Sequence, residues 1–180
     1  MNILLFTQNE GLHPERIIVS GRRFKHLVNV NKAKEHDTFK CGIINGKIGT
    51  AQVTKIHSDS VEMRICSLDR KPPEALPLIL ILALPRPKML RRIIESATSL
   101  GVKHIFLINS WRVEKSFWQS PILAVDKLEK SMILGLEQCG DTIMPTLTKK
   151  RLFSPFINQE LVKIAENSLK ILAHPKGDTI

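Results

Sequence analysis

Tyrosine is absent from this chain, and aromatic residues make up only 5% of its 180 positions. Rows of stacked aromatics, of the kind that hold single-stranded nucleic acid, are therefore not evident. The three cysteines, Cys41, Cys66 and Cys139, are odd in number and far apart, with no C-x-x-C pair. That pattern argues against a disulfide framework and against a zinc site; reduced, mostly buried thiols are expected. No apolar run reaches the ~20 residues of a membrane helix, and Leu78 to Leu84 is ended by Pro85. The opening Met1-Asn2-Ile3-Leu4-Leu5-Phe6 has neither a basic leader nor a cleavage site. No signal peptide is expected, and a cytoplasmic location follows. There is no G-x-G-x-x-G, no P-loop, no serine nucleophile elbow and no convincing metal spacing among His and acidic residues. Dinucleotide binding, covalent hydrolysis and metal catalysis thus lack support.

What the chain has is positive charge: +10 overall, with a pI near 9.8. Excess Lys and Arg attract polyanions, with nucleic acid the first candidate and an acidic membrane surface the second. The excess is spread evenly. Residues 1–72 carry 12 basic against 7 acidic side chains, and 73–180 carry 15 against 10.

Residues 1 to about 70 read as β-rich. Arg16 to Val19 is a strand candidate, and Asp37 to Ile44 leads into Asn45-Gly46, a strong hairpin signal. Ile48 to Ile56 returns, with Ala51 and Val53 inward. Val61 to Cys66 alternates, with Val61, Met63 and Ile65 on one face. Short strands separated by turns suggest a small barrel. Arg22 to Val30 is expected to form a short helix. Asp69 to Pro77, with three prolines and four charges, is the expected linker.

From Leu78 the pattern changes to βαβ. Leu78 to Leu84 has the composition of a strand buried on both faces. Pro87 suits a first helical turn, since its missing N–H would be unpaired there anyway. Met89, Ile93, Ala97 and Leu100 recur at helical spacing, and Gly101 fits a left-handed C-cap. His104 to Ile108 is the next strand. A further helix starts at Ser120-Pro121, with Ile122, Val125, Leu128, Met132 and Leu136 on one face. Another starts at Ser154-Pro155 with Ile157, Leu161 and Ile164, and Leu169 to Ala173 is expected to be a third parallel strand. Loops at the carboxyl ends of parallel strands are where such sheets bind ligands, which singles out Arg86, Lys88 and Arg112.

Lys88-Met89, the run Ile94 to Val102, Ser110-Trp111-Arg112 and Glu137-Gln138-Cys139-Gly140, with Pro145 after them, fall in one order and spacing. The set resembles the RsmE-type small-subunit ribosomal RNA uridine N3-methyltransferases of the SPOUT superfamily. The resemblance implies an α+β two-domain protein: a PUA-like β-barrel (1–70), a linker (71–77) and a SPOUT α/β domain with a parallel sheet (78–180). It implies S-adenosyl-L-methionine (AdoMet) as cofactor, small-subunit rRNA or the 30S subunit as partner, and a homodimer. No metal and no membrane partner are expected.

Several residues become candidates. Arg22, Arg23, Lys25, His26 and Lys32 form a basic cluster in the barrel half. They would hold RNA phosphates, or be a solvated helix face. Arg86 and Lys88 would bind phosphate, whereas Arg91 and Arg92 read as exposed helix residues. Arg112 matches an arginine of the family motif. It would clamp a phosphate or the target uridine through its planar fork, or pair with Glu114 or Glu137. Glu137 and Gln138 would brace Arg112 or serve a buried polar network. His174-Pro175 matches the first of three cofactor loops in the family.

Three departures stand out. Asn2 and Leu5 occupy places where the family usually carries arginine, and Asp141 stands where Arg is common. Each removes positive charge from an expected RNA contact. The resemblance also predicts a Gly-Pro-Glu-Gly-Gly loop and a closing knot segment, neither of which occurs by Ile180, so the α/β domain is expected to be incomplete. The rival reading is a non-catalytic RNA-binding protein that keeps the barrel and the basic loops.

Overall fold

The computed structural model describes residues 1–173 apart from Leu12, Pro14 and Glu15. The first half contains β1 (Leu4–Phe6), α1 (Gln8–Gly11), β2 (Ile17–Ser20), α2 (Gly21–Lys25), β3 (Thr38–Ile43), β4 (Ile48–Ile56) and β5 (Ser60–Arg70). These strands form one five-stranded sheet in the order β1-β3-β4-β5-β2. β1 runs parallel to β3 and the other pairs are antiparallel. The β3–β4 hairpin turns at Asn45-Gly46: Asn45 takes a φ of +60° and the Gly46 N–H donates to the Ile43 carbonyl at 2.7 Å. Three register shifts along β4–β5 bend the sheet round its core. The alternation read in the sequence holds there, because Ala51, Val53, Val61 and Met63 are fully buried with Phe6, Val19 and Leu27. The expected helix over Arg22 to Val30 is α2 continued by a π-helical turn over His26–Val30, closed by the Asn31 N–H on the His26 carbonyl.

The second half contains β6 (Ile79–Ala83), α3 (Pro87–Ser99), β7 (His104–Ile108), two 3-10 turns, α4 (Val125–Cys139) and β8 (Thr146–Lys150), then a helical stretch from Phe153 to Ile164. Its sheet is parallel throughout, in the order β6-β7-β8. Pro87 opens α3, and Gly101 closes its end with a φ of +89°.

Five expectations fail here. The helix expected from Ser120-Pro121 begins only at Val125, itself exposed, after a 3-10 turn over Pro121–Leu123. β6 is not buried on both faces: Leu78 and Ile79 are exposed, because its hydrogen-bonded neighbour among the described residues lies on one side only. The third parallel strand is Thr146–Lys150, not Leu169–Ala173, which pairs with no strand among the described residues and leaves Leu169, Ile171 and Leu172 in solvent. The buried face of α3 is Leu90, Ile94, Ala97 and Thr98, with Met89 and Leu100 exposed. Where α3 meets α4 decides this. Gly135 brings the backbones so close that a Cβ there would lie 2.6 Å from the Glu95 carbonyl oxygen. The thiols are not mostly buried either, since only Cys41 is inside.

The two halves meet along a polar and apolar seam. The last turn of an α-helix leaves carbonyls without partners, and the first domain supplies partners for α4. The Asn2 N–H donates to the Glu137 carbonyl at 2.7 Å, Asn2 Nδ2 to that of Gln138 at 2.6 Å, and Lys40 Nζ to that of Gly140 at 3.2 Å. Asn45 and Gly46 bond to Thr142 and Met144 beyond the helix. Beneath lies an apolar cluster of Ile3, Leu5, Ile48 and Leu136, flanked by Ile44, Ile133 and Met144.

The departures at Asn2, Leu5 and Asp141 therefore have a structural account. Asn2 caps α4, and Leu5 is 3% exposed in the seam. Asp141 is buried, with Lys103 Nζ on one carboxylate oxygen and the N–H groups of Thr142 and Ile143 on the other. Lys103 also donates to the Ile143 carbonyl, so both buried charges are compensated.

Candidate functional site

Parallel pairing sets one chemical edge. Ala83, Ile108 and Lys150 lie on one rung of the sheet, so the segments after β6, β7 and β8 leave it on the same rim. After β6 come Arg86 and Lys88, both exposed. After β7 the chain makes a β-turn over Ser110–Val113, closed by the Val113 N–H on the Ser110 carbonyl at 3.0 Å, with Trp111 and Arg112 at its corners. Arg151 follows β8. Among the described residues, none of Arg86, Lys88 and Arg112 forms an ion pair, so neither Glu114 nor Glu137 holds Arg112.

Lys150 and Arg151 also belong to this rim, although the apolar pattern of the sequence does not mark β8 as a strand. The signal was the basic run Lys149-Lys150-Arg151 after Thr-Leu-Thr, a short alternation rich in β-branched residues. Lys150 pairs with Glu160, and Arg151 lies over the Trp118 ring at 5.4 Å to its centroid. Lys149, Lys150, Arg151, Leu152, Pro155 and Glu160 line an open cavity of about 400 Å³ at this end of the sheet. Three cations against one carboxylate make it suited to an anion.

The barrel cluster is elsewhere. Strand β8 follows α4, so Glu137 and Gln138 lie toward the amino ends of the parallel strands, away from Arg112. Arg22 donates to both carboxylate oxygens of Glu137 at 2.7 Å; Glu137 is 2% exposed and the Arg22 side chain 47%. Gln138 Nε2 donates to Glu95 at 2.8 Å. Arg23 donates to the Leu5 carbonyl and to Glu10, and its guanidinium lies 5.7 Å from the Phe6 ring centroid. His26 stands 3.4 Å from the N-terminal ammonium. Its imidazole is held below its usual range by burial first, then by the charges of that ammonium and of Arg22. Lys25 and Lys32 are exposed, Lys32 with a φ of +53°.

Arg22 and Arg23 also border a cleft of about 470 Å³ between the barrel and α4, with Glu10, Asp126, Glu129 and Glu137 on its walls. Lys130 lines it too, so three cations face four carboxylates there, whereas the rim cavity is net cationic. His174 and Pro175 lie outside the described residues.

Among the described residues no group of His, Cys, Asp and Glu could hold a metal ion, and no helix is long and apolar enough to cross a membrane.

A family model described as an RNA methyltransferase domain matches residues 72–180, and one described as an RNA methyltransferase PUA domain matches residues 19–66. A protein of Treponema pallidum named ribosomal RNA small subunit methyltransferase E is 33% identical over 160 residues, covering 88% of this chain and 60% of its own length. One of Borreliella burgdorferi, named ribosomal RNA small subunit methyltransferase E 1, is 29% identical over 147 residues, covering 82% and 60%. The chain thus spans about 60% of the length of these curated relatives. A crystal structure of a ribosomal RNA small subunit methyltransferase E from Neisseria gonorrhoeae bound to S-adenosyl methionine shares the fold, with a TM-score of 0.60 at 19% identity, covering 84% of this chain and 62% of that one.

Proposed function

This chain belongs to the RNA methyltransferase domain family, and from that premise we propose that it transfers a methyl group from AdoMet to N3 of a uridine in small-subunit ribosomal RNA. The observation that carries the reading is the shared rim. Exposed Arg86, Lys88 and Arg112 follow the carboxyl ends of adjacent parallel strands, with no carboxylate partner among the described residues.

The cations that line the rim cavity match phosphate, and nothing in that lining is specific to the cofactor. Its contact is assigned, by resemblance, to the loop of His174 and Pro175, and no step is routed through it. AdoMet would supply the methyl group on its sulfonium. Arg86 and Lys88 would hold the RNA backbone and so set orientation. Arg112 would lie beside the target base, where its positive charge favours loss of the N3 proton and stabilises the uridine anion that forms. The target nitrogen is engaged when the uridine is paired, so the base must be unpaired or flipped. Lys25 and Lys32 on the barrel would add phosphate contacts. Arg22, Arg23 and His26 contribute less, because carboxylates balance the two arginines and burial disfavours charge on His26. The exposed apolar edge at Leu76, Leu78 and Ile79 supports the homodimer that the resemblance implies.

The test is methylation of small-subunit rRNA by the full-length gene product with labelled AdoMet, followed by nucleoside mass spectrometry. A 3-methyluridine is expected; label at another atom would overturn the assignment. Calorimetry separates the rival reading: RNA binding without saturable AdoMet binding would make this an RNA-binding protein only.

A further inference from the structure

We propose that Trp111 is a stacking platform for one unpaired nucleobase of the RNA, next to the base that reacts. This rests on the RNA reading above and adds a contact to it. The chain has two tryptophans. Trp118 is engaged: its indole N–H donates to Asn109 Oδ1 at 3.2 Å and Arg151 covers its ring. Trp111 is 98% exposed, so both ring faces are open. Tryptophan is on average a highly buried residue, and full exposure of an indole calls for a reason.

The backbone supplies one. Trp111 and Arg112 occupy the two corner positions of the Ser110–Val113 turn, side by side at its tip. The turn is tied on its entry side, where the Asn109 N–H donates to the Lys150 carbonyl at 3.1 Å and the Asn109 side chain accepts from Trp118. The indole is therefore presented on a fixed support. Around it on the rim stand Arg86, Lys88, Arg112 and Arg151. An aromatic face among cations matches a ligand that carries both a flat ring and a phosphate, namely a nucleotide in a single-stranded segment. Every base has a π-face, so Trp111 would hold a base without selecting it, and Arg112 would take the neighbouring phosphate or the target base.

The experiment titrates the full-length protein with a short, uridine-containing single-stranded RNA at several salt concentrations, reading tryptophan fluorescence. The free protein should show an emission component typical of solvated indole, lost in Trp111→Ala and quenched by RNA in the unsubstituted protein. Trp111→Ala should weaken binding about tenfold at fixed salt while leaving the salt slope unchanged, and Trp111→Phe should retain most of the affinity. Arg112→Ala should instead lower the slope. Salt-dependent RNA binding with no quenching and equal affinity for Trp111→Ala would overturn the stacking proposal alone. So would a buried-type emission from Trp111 before RNA is added, which would mean that another segment or a second copy covers it. Absence of RNA binding by the unsubstituted protein would remove the RNA reading, and this proposal with it.

Discussion

One guanidinium nitrogen of Arg22, carried by the small domain, lies 2.7 Å from both carboxylate oxygens of Glu137, a buried residue near the end of α4. A charge-assisted contact of this kind contributes about 1.5–3 kcal/mol, reduced here by the half-exposure of Arg22. Arg22→Ala should destabilise the protein by about 1–2 kcal/mol, because a buried carboxylate loses its partner. Urea unfolding of Arg22→Ala, Glu137→Ala and the double variant should give a coupling energy well above the few tenths expected of independent sites.

Acid should weaken the small domain through Glu10. Burial alone would raise its carboxyl pKa, but hydrogen bonds from Arg23 and from the Thr7 N–H outweigh it and hold the group below its ordinary 4.5. A depressed carboxylate contributes stability above its unfolded pKa and loses it as pH falls through the folded value. The stability advantage of the unsubstituted protein over Glu10→Gln should be complete above about pH 5 and shrink as pH drops below ~4.5. Urea midpoints measured from pH 6 down to 3 provide the check.

Gly135→Ala tests the helix crossing. The added Cβ would meet the Glu95 carbonyl oxygen at 2.6 Å and the Thr98 side chain at 2.7 Å. Backbone cannot yield as a flexible side chain can, so α3 and α4 must separate. A loss of about 1–3 kcal/mol is expected, read as a lower thermal midpoint.

The thiols should differ in reactivity. Burial pushes the Cys41 thiol up to about 12, whereas Cys66 and Cys139 are exposed. A chromogenic disulfide reagent at pH 8 should titrate two thiols promptly in the native protein and three after denaturation.

Removing rim charge should be visible in salt dependence. Each phosphate contact on single-stranded RNA contributes about 0.7 to the slope of log affinity against log salt. Arg86→Ala with Lys88→Ala should therefore lower the slope by about 1.4 if both bind phosphate. Measured by the same titration, an unchanged slope would remove them from the interface.

The elements legible in the sequence were those with strong local signals. Asn45-Gly46 marked the hairpin, Pro87 and Gly101 bracketed α3, and alternation from Val61 to Met63 identified core residues that are fully buried. What misled was apolarity without a pairing partner. Leu169–Ala173 looks more like a buried strand than Thr146–Lys150 does, yet the backbone of the latter pairs with β7. Missing β8 hid Lys150 and Arg151 from the candidate site. Arg22 illustrates the converse limit: a cluster of like charges in sequence says nothing of a carboxylate that arrives from 115 residues away. Sparse aromatics argue against rows of stacking residues, but the exposure of a single Trp111 is not readable from composition.

With the carbonyls at the end of α4 capped by Asn2 and Lys40, and Leu136 packed against Ile3 and Leu5, the first domain is fastened directly to α4. Under the proposed function, anything gripped by the first domain would sit at a set offset from the strand ends. On the proposed function the fold would act as a ruler, and a substrate would qualify by the spacing between its anchoring point and its reactive point as much as by the letters it carries.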